Sequence, residues 1–211
     1  MNDKKTQWCR GGRREAILSV AREVFSQEGY GAASMSHIAA RLGGSKGTLY
    51  NYFRSKEELF EADIQDRCSS YAQSIFGPTP DSGDVREILT ALADRILNLA
   101  LSDESTAFYT LVVSEAQRAP AIGRAFYESG PRNCIERVAA VLDRARADGQ
   151  IVTDDCTQAA QDFLSLIHGG LHFKRILNVI DRPSAKEMST EAARMVDVFL
   201  RAYGSKAAPS R

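Results

Sequence analysis

From Ser34 to Phe60 the chain reads SMSHIAARLGGSKGTLYNYFRSKEELF, and three serines divide that stretch. Ser34 stands as an N-cap before a short helix reaching Leu42, with Ile38 and Ala39 on its inner side. Gly43-Gly44 breaks this helix, and Ser45 caps another over Lys46 to Phe53. Ser55 then opens a longer helix. Glu57 and Glu58 lie in its first turn, where acidic groups complement the helix dipole, and Ser55 and Glu58 stand at capping-box spacing. Two short helices joined by a tight glycine turn, with a third element following, have the layout of a helix-turn-helix. The second helix is rich in short polar and aromatic hydrogen-bonding side chains: Ser45, Lys46, Thr48, Tyr50, Asn51 and Tyr52. Such a face suits a major groove, where short polar groups read base edges while lysines, hydroxyls and backbone amides hold phosphates. Gly47 lets the backbone approach a duplex, and Lys56 is placed to reach a phosphate. The plainer reading is a helical hairpin with a polar face, with Tyr50 or Tyr52 packed inward.

Upstream, Ile17, Ala21, Val24 and Phe25 share one helical face, and Gly29-Tyr30-Gly31 ends that helix. Residues 1–12 read as a disordered basic arm; Arg10, Arg13 and Arg14 could track phosphates or enter a minor groove, or belong to a solvated tail. Charge is uneven along the chain. Residues 1–60 hold ten Lys/Arg against six Asp/Glu, and the remainder seventeen against twenty-one, although the whole chain is formally neutral. A basic head on an acidic body fits a nucleic-acid-binding module joined to something else.

Downstream, Phe60, Ile64, Cys68, Tyr71 and Ile75 continue the helix begun at Ser55, which is the covalent route from head to body. Residues 77–83, GPTPDSG, form a loop. Further stripes follow: Val85, Ile88, Leu92, Ile96 and Leu99; then Phe108, Leu111, Val112 and Glu115; then a helix from Pro120, with a candidate break at Gly130-Pro131, that continues through Ile135, Val138, Leu142 and Ala145 to Asp148-Gly149. An eighth helix starts at Thr153 with Ala160, Phe163, Ile167 and Leu171 on one face. A ninth follows Pro183 with Met188, Ala192, Met195, Phe199 and Tyr203. The fold class expected is all-α, about nine helices: a head over 13–60, a body over 61–204 and a frayed tail over 205–211.

The pieces Ala21-Arg22-Glu23-Val24-Phe25, Glu28-Gly29-Tyr30, Ser34 to Ala39, Ser45 to Phe53 and Ser55-Lys56-Glu57-Glu58-Leu59, in this order, resemble the tetracycline-repressor (TetR) family. The resemblance covers Arg14 to Phe60. It implies that Ser34, Ser36, Ser45, Lys46, Gly47, Thr48, Tyr50, Asn51, Tyr52 and Lys56 face DNA, while Ile38, Ala39, Leu42, Leu49 and Phe53 pack the head. Gly44 departs from the pattern, which usually has an apolar residue there, and the expected consequence is looser packing in the turn. Residues 115–131 resemble one branch of the family's ligand-binding domains. The resemblance further implies a homodimer held by a four-helix bundle of the eighth and ninth helices, each subunit offering one recognition helix to half of a palindrome.

Within the body, Glu115 shares its stripe with Phe108 and Val112 and reads either as a polar anchor in an apolar pocket or as a helix-end residue. His168 and His172, four apart, face one side of a helix. Two ligands are too few for a metal and nothing at recognisable spacing completes the set, so His168 is taken as a pocket wall or bundle edge. Candidate effector-site residues are thus Phe108, Val112, Glu115 and His168. Phe163, Ile167, Met195 and Phe199 are the candidate dimer-interface positions. No cofactor is expected. Cys9, Cys68, Cys134 and Cys156 lie far apart with no CxxC pair and read as reduced thiols, redox sensing being the alternative. No apolar run nears the roughly 20 residues of a membrane span. The charged N-terminus has no apolar stretch behind it, so it does not read as a secretory signal, and the cytoplasm is the expected compartment.

The function these features imply is a DNA-binding regulator, a repressor released from a palindromic operator by a small ligand. The alternatives are a ligand-independent activator or architectural DNA-binding protein and, remotely, a helical enzyme. An enzyme is expected to show a nucleophile–base–orienter set, a phosphate loop or a metal quartet, and none is legible.

Overall fold

The computed structural model describes residues 10–77 and 83–205. The expected arm falls outside that range for residues 1–9, as do the centre of the GPTPDSG loop (78–82) and the tail from 206. Among the described residues the chain is all-α, in this order: α1 (Arg10–Ala32), α2 (Met35–Arg41), α3 (Lys46–Tyr50), α4 (Lys56–Ile75), α5 (Val85–Ala100), α6 (Asp103–Ala116), α7 (Pro120–Tyr127), α8 (Asn133–Ala147), α9 (Cys156–Ile167), α10 (Phe173–Ile176) and α11 (Ala185–Tyr203). α7 runs into α8 through a π turn, Glu128–Arg132, and α9 into α10 through another, His168–His172. With each pair counted as one rod there are nine helices. The break expected at Gly130-Pro131 does not occur. Pro131 lacks an N–H and its ring crowds the preceding turn, and the wider π turn takes it up without ending the helix.

Local chemistry sets the ends. α1 begins at Arg10, three residues before the expected start, and Gly29 (φ 78°) interrupts its last stretch. Ser34 Oγ accepts from His37 N at 3.2 Å, Ser45 Oγ from Thr48 N at 3.2 Å and Ser55 Oγ from Glu58 N at 3.1 Å. Each such cap is worth about 1 kcal/mol. The capping box at Ser55 is only half made, because Glu58 Oε2 accepts from Arg54 N, one residue too early. α2 closes in a Schellman turn: Gly44 N donates to Ala39 O at 3.2 Å and Gly43 N to Ala40 O at 3.1 Å. Gly43, at φ 67°, takes the left-handed conformation that this turn requires. α9 is capped by Asp155, which accepts from Thr157 N and Gln158 N, and not by Thr153, whose hydroxyl is occupied with Asp155 backbone. Ser184 and Glu187 complete a capping box on α11.

The chain forms two compact units, and their division is not contiguous in sequence. One comprises residues up to Arg67 together with Leu111–Phe126; the other comprises Cys68–Thr110 and Tyr127 onward. The chain therefore passes between them three times, inside α4, inside α6 and at the last residue of α7, whereas the sequence had offered α4 as the route. The head unit is built on Ile17, Ala21, Val24, Phe25, Ile38, Leu49, Phe53 and Phe60, each at most 3% exposed. Phe25, Tyr30 and Phe60 make an aromatic knot with ring centroids 4.8–5.8 Å apart. The other unit packs α5, α8, α9 and α11 around Leu89, Leu92, Leu97, Val138, Leu142, Phe163 and Phe199. An isolated bridge between Ile151 and Gly204 ties the end of α11 to the loop before α9.

Candidate nucleic-acid interface

α3 is a single helical turn and a half, so one side can be sunk and the other offered. Leu49 is fully buried and Phe53 almost so, which anchors the helix from below. Lys46, Gly47, Tyr50 and Asn51 are exposed, and their spacing of three and four makes them one continuous face. Tyr50 carries about half of its surface in solvent. Thr48 and Tyr52 are half-buried at the margins, and Ser45 and Ser36 are exposed. The Ser45 and Thr48 hydroxyls lie 3.0 Å apart and share a hydrogen bond, which orients both. α3 ends at Tyr50, with Asn51 as its C-cap, so Asn51 and Tyr52 stand in the turn after it and not on the longer helix expected. Ile38 and Ala39 are buried as expected, whereas Leu42 remains half-exposed. At Gly44 a Cβ would sit 3.1 Å from Arg13 Nη2, so the glycine admits the Arg13 side chain against the turn.

Lys56 takes a place that its sequence position did not suggest. Its ammonium donates to Tyr30 O at 2.8 Å and to Ala33 O at 3.0 Å, and lies 4.2 Å from the centroid of the Tyr30 ring. It thus satisfies carbonyls at the end of α1 and fastens α4 to it. Tyr30 Oη donates to Glu57 Oε1 at 3.1 Å. Burial first, then Glu57, with Glu115 and Glu61 adding to it, pushes the Tyr30 phenol well up and keeps it protonated. About two turns of α4 further on, Asp63 is fully buried between two arginines. Arg22 Nε donates to its Oδ1 at 2.9 Å and Arg67 Nε to its Oδ2 at 3.0 Å, while Arg22 also reaches Asp66 at 2.8 Å. Neither clamp could be read from sequence, because most of the partners lie 23 to 44 residues apart.

The other expected sites are placed as follows. Val112 is buried and Glu115 half-buried in the head unit; Phe108 is buried and His168 exposed in the other, with His168 Nδ1 2.8 Å from Leu164 O. The effector-site candidates are therefore split between units. Phe163, Ile167, Met195 and Phe199 are each at most 1% exposed within the single chain, and the Phe163 and Phe199 rings meet at 5.4 Å. They hold α9 to α11 inside the subunit, and their side chains are not available to a partner. The stripe that marks them as apolar could not say which apolar surface they would meet.

Residues 17–62 match the family described as "Bacterial regulatory proteins, tetR family", and residues 87–205 match "AefR-like transcriptional repressor, C-terminal domain". The chain is 31% identical over 164 residues to the HTH-type transcriptional activator FasR of Mycolicibacterium smegmatis, covering 78% of this chain and 64% of that protein. It is 49% identical over 51 residues to the HTH-type transcriptional regulator UidR of Escherichia coli, covering 24% of this chain and 26% of UidR. The alignments thus span less than two thirds of either curated relative. Among solved structures, a TetR-family regulator from Mesorhizobium loti superimposes with a TM-score of 0.84 at 27% identity, over 93% of this chain and all of that one. The flavonoid-responsive regulator FrrA superimposes with a TM-score of 0.82 at 34% identity, over the same shares. An exposed polar face on a capped, core-anchored α3, two matched domains that together cover most of the length and whole-chain superposition agree: the chain belongs to the TetR family of bacterial regulatory proteins.

Proposed function

We propose that the protein is a sequence-specific DNA-binding transcriptional regulator, a repressor released from a palindromic operator by a small ligand. The observation that carries the reading is the continuous exposed face of Lys46, Gly47, Tyr50 and Asn51, held by buried Leu49 and Phe53. Ser34, Ser36, Ser45, Thr48 and Tyr52 flank it as further contacts. Lys46 supplies the charge for phosphate; Lys56, committed to α1 carbonyls, contributes mainly by holding the head's shape.

The working form is a homodimer. Several of the large apolar side chains left exposed in the single chain, Phe173, Leu177, Val179 and Val198, fall on or beside α10 and on α11, and covering them is the gain a second copy would bring. Two heads about 34–36 Å apart would enter successive major grooves. A ligand that favours a different spacing lowers operator affinity through a coupling of typically 1–3 kcal/mol. FrrA is flavonoid-responsive and FasR an activator by name; the sign of regulation here follows from where the operator lies relative to the promoter.

A mobility shift with the purified protein and the DNA upstream of its own gene tests this. The expected result is binding to an inverted repeat at least 1,000-fold tighter than to random duplex at the same salt, with Tyr50→Ala weakening it more than tenfold. Equal affinity for both duplexes would overturn the reading.

A further inference from the structure

The start of α1 carries positive charge at the helix pole that disfavours it. Arg13 and Arg14 follow close behind its first residue, Arg10, and its first turn holds no acidic residue. The amino end of a helix is its positive pole, so cations there work against the dipole. The stability of α1 does not account for them, but their reach does. Arg14 Cζ lies 5.6 Å from the centroid of the Phe53 ring, just past the end of α3. Arg13 reaches the other end. Its Nη2 lies 3.1 Å from the point where a Cβ on Gly44 would sit, and Gly44 directly precedes Ser45, the N-cap of α3. Two neighbouring arginines thus bracket the helix that presents the exposed polar face.

Gly44 is what lets Arg13 stand there. Gly43 needs its left-handed φ to make the turn, but Gly44 lies outside that region, so its backbone makes no demand for glycine. The demand comes from the Arg13 side chain, which even one methyl group at residue 44 would crowd. The space released by this departure from the family pattern is filled by a guanidinium. Among the described residues neither Arg13 nor Arg14 is engaged by a carboxylate. In the same unit Arg22 and Arg67 are answered by Asp63, and Arg41 by Glu28. Arg13 is half-buried, at the margin of the α3 face and close to exposed Ser45. With Lys56 spent on α1 carbonyls, that face also lacks one cation that the family resemblance implied.

We propose that Arg13 is an operator-backbone contact, its guanidinium admitted by Gly44 and set to take a DNA phosphate beside the start of α3. Gly44 and Arg14 are its positioning residues: one gives the head room, the other ties the start of α1 to Phe53. The partner is a phosphate and not a base edge, because the guanidinium lies against the turn before α3 and not on the face of Lys46, Tyr50 and Asn51. The planar fork of a guanidinium matches two phosphate oxygens, and such a contact fixes register without reading sequence. A charge that opposes the α1 dipole in the free protein is matched once a phosphate stands beside it. The assignment rests on the DNA-binding reading and adds to it a contact and the glycine that makes room for it.

Fluorescence anisotropy of the full-length protein tests it, with a duplex from upstream of its own gene and a random duplex, each titrated between 50 and 200 mM salt. Arg13→Ala should lower the log–log salt slope by about 0.9, so that across this range it loses about threefold to fourfold less affinity than wild type. It should weaken both duplexes by similar factors, and Arg13→Lys should keep the slope. Gly44→Val, which suits the backbone but displaces the guanidinium, should match Arg13→Ala in slope while keeping the wild-type thermal midpoint. Combining Arg13→Ala with Gly44→Val should cost no more than either alone, because both remove one contact. An unchanged slope in Arg13→Ala would overturn the proposal and leave Arg13 a solvated surface cation. So would a second full loss when Gly44→Val is added to Arg13→Ala. A slope lowered by Lys46→Ala but not by Arg13→Ala would remove this contact and leave the regulator reading standing, whereas equal wild-type affinity for the two duplexes would remove both.

Discussion

α4 carries two kinds of buried polar group, and the difference between them divides the protein. In the head unit Asp63 and Arg67 are almost completely sealed, yet every charge is answered: Asp63 by Arg22 and Arg67, and the ammonium of Lys56, nearer the start of the helix, by two carbonyls. Beyond Arg67 the same helix presents Tyr71, whose hydroxyl is buried and unanswered, as are Ser105 and Arg175 Nε in the same unit. A satisfied buried network rigidifies; an unsatisfied one is stabilised by whatever completes it. The head is thus finished by its own residues and can present α3 as a fixed shape. The other unit leaves these three buried polar atoms unanswered by its own residues.

The sharpest break in this comparison is to empty the head's network. Asp63→Ala would remove the carboxylate against which Arg67 is buried, a loss of about 3–5 kcal/mol. Arg22→Ala should cost less, because that side chain is about one third exposed. Urea unfolding measures both, and a loss below about 1 kcal/mol for Asp63→Ala would show that the network does not stiffen the head.

A smaller effect probes the other unit. Burial, and then the neighbouring His168, pushes the His172 imidazole down to about 4. Between pH 6.5 and 4 the unfolded chain therefore takes the proton that the folded chain refuses. The contribution of neutral His172 is complete above pH 6.5 and is lost as pH falls toward 4. About 2 kcal/mol should disappear between pH 7 and pH 5. His172→Gln should lose that much less stability over the same interval; identical pH profiles for the two proteins would place His172 in water.

The smallest effect separates the two lysines of the head. Lys46→Ala should reduce the log–log salt slope of operator binding by about 0.9, the signature of one phosphate contact. Lys56→Ala should leave the slope unchanged and lower thermal stability, because its ammonium is spent on Tyr30 and Ala33 carbonyls. The reverse pattern would return Lys56 to the phosphate contacts implied by family resemblance.

What could be read from sequence and what could not follow one rule of distance. Ser34, Ser45 and Ser55 were legible as caps because each bonds a backbone N–H three residues on. Gly29 and Gly43 were legible as stops because their conformation is a local demand. The inward set of α2 and α3 followed from helical period, with Leu42 the exception. Phe163, Ile167, Met195 and Phe199 were equally legible as apolar, but period only says that a face is buried. It took the packing of α9 against α11 to decide that they meet each other and not a second copy.

The sequence by itself determined the helix order, the turn that sets α2 against α3 and the polar face of α3, because those depend on neighbours within one or two turns. Only the tertiary structure decided that residues 111–126 pack with the head, that Lys56 closes α1, that Asp63 is shared by two arginines, and that Tyr71, Ser105 and Arg175 are left without partners. Each of those outcomes is a pairing, or a missing pairing, between groups brought together from distant parts of the chain, and burial turns it into a free-energy term that no local pattern records.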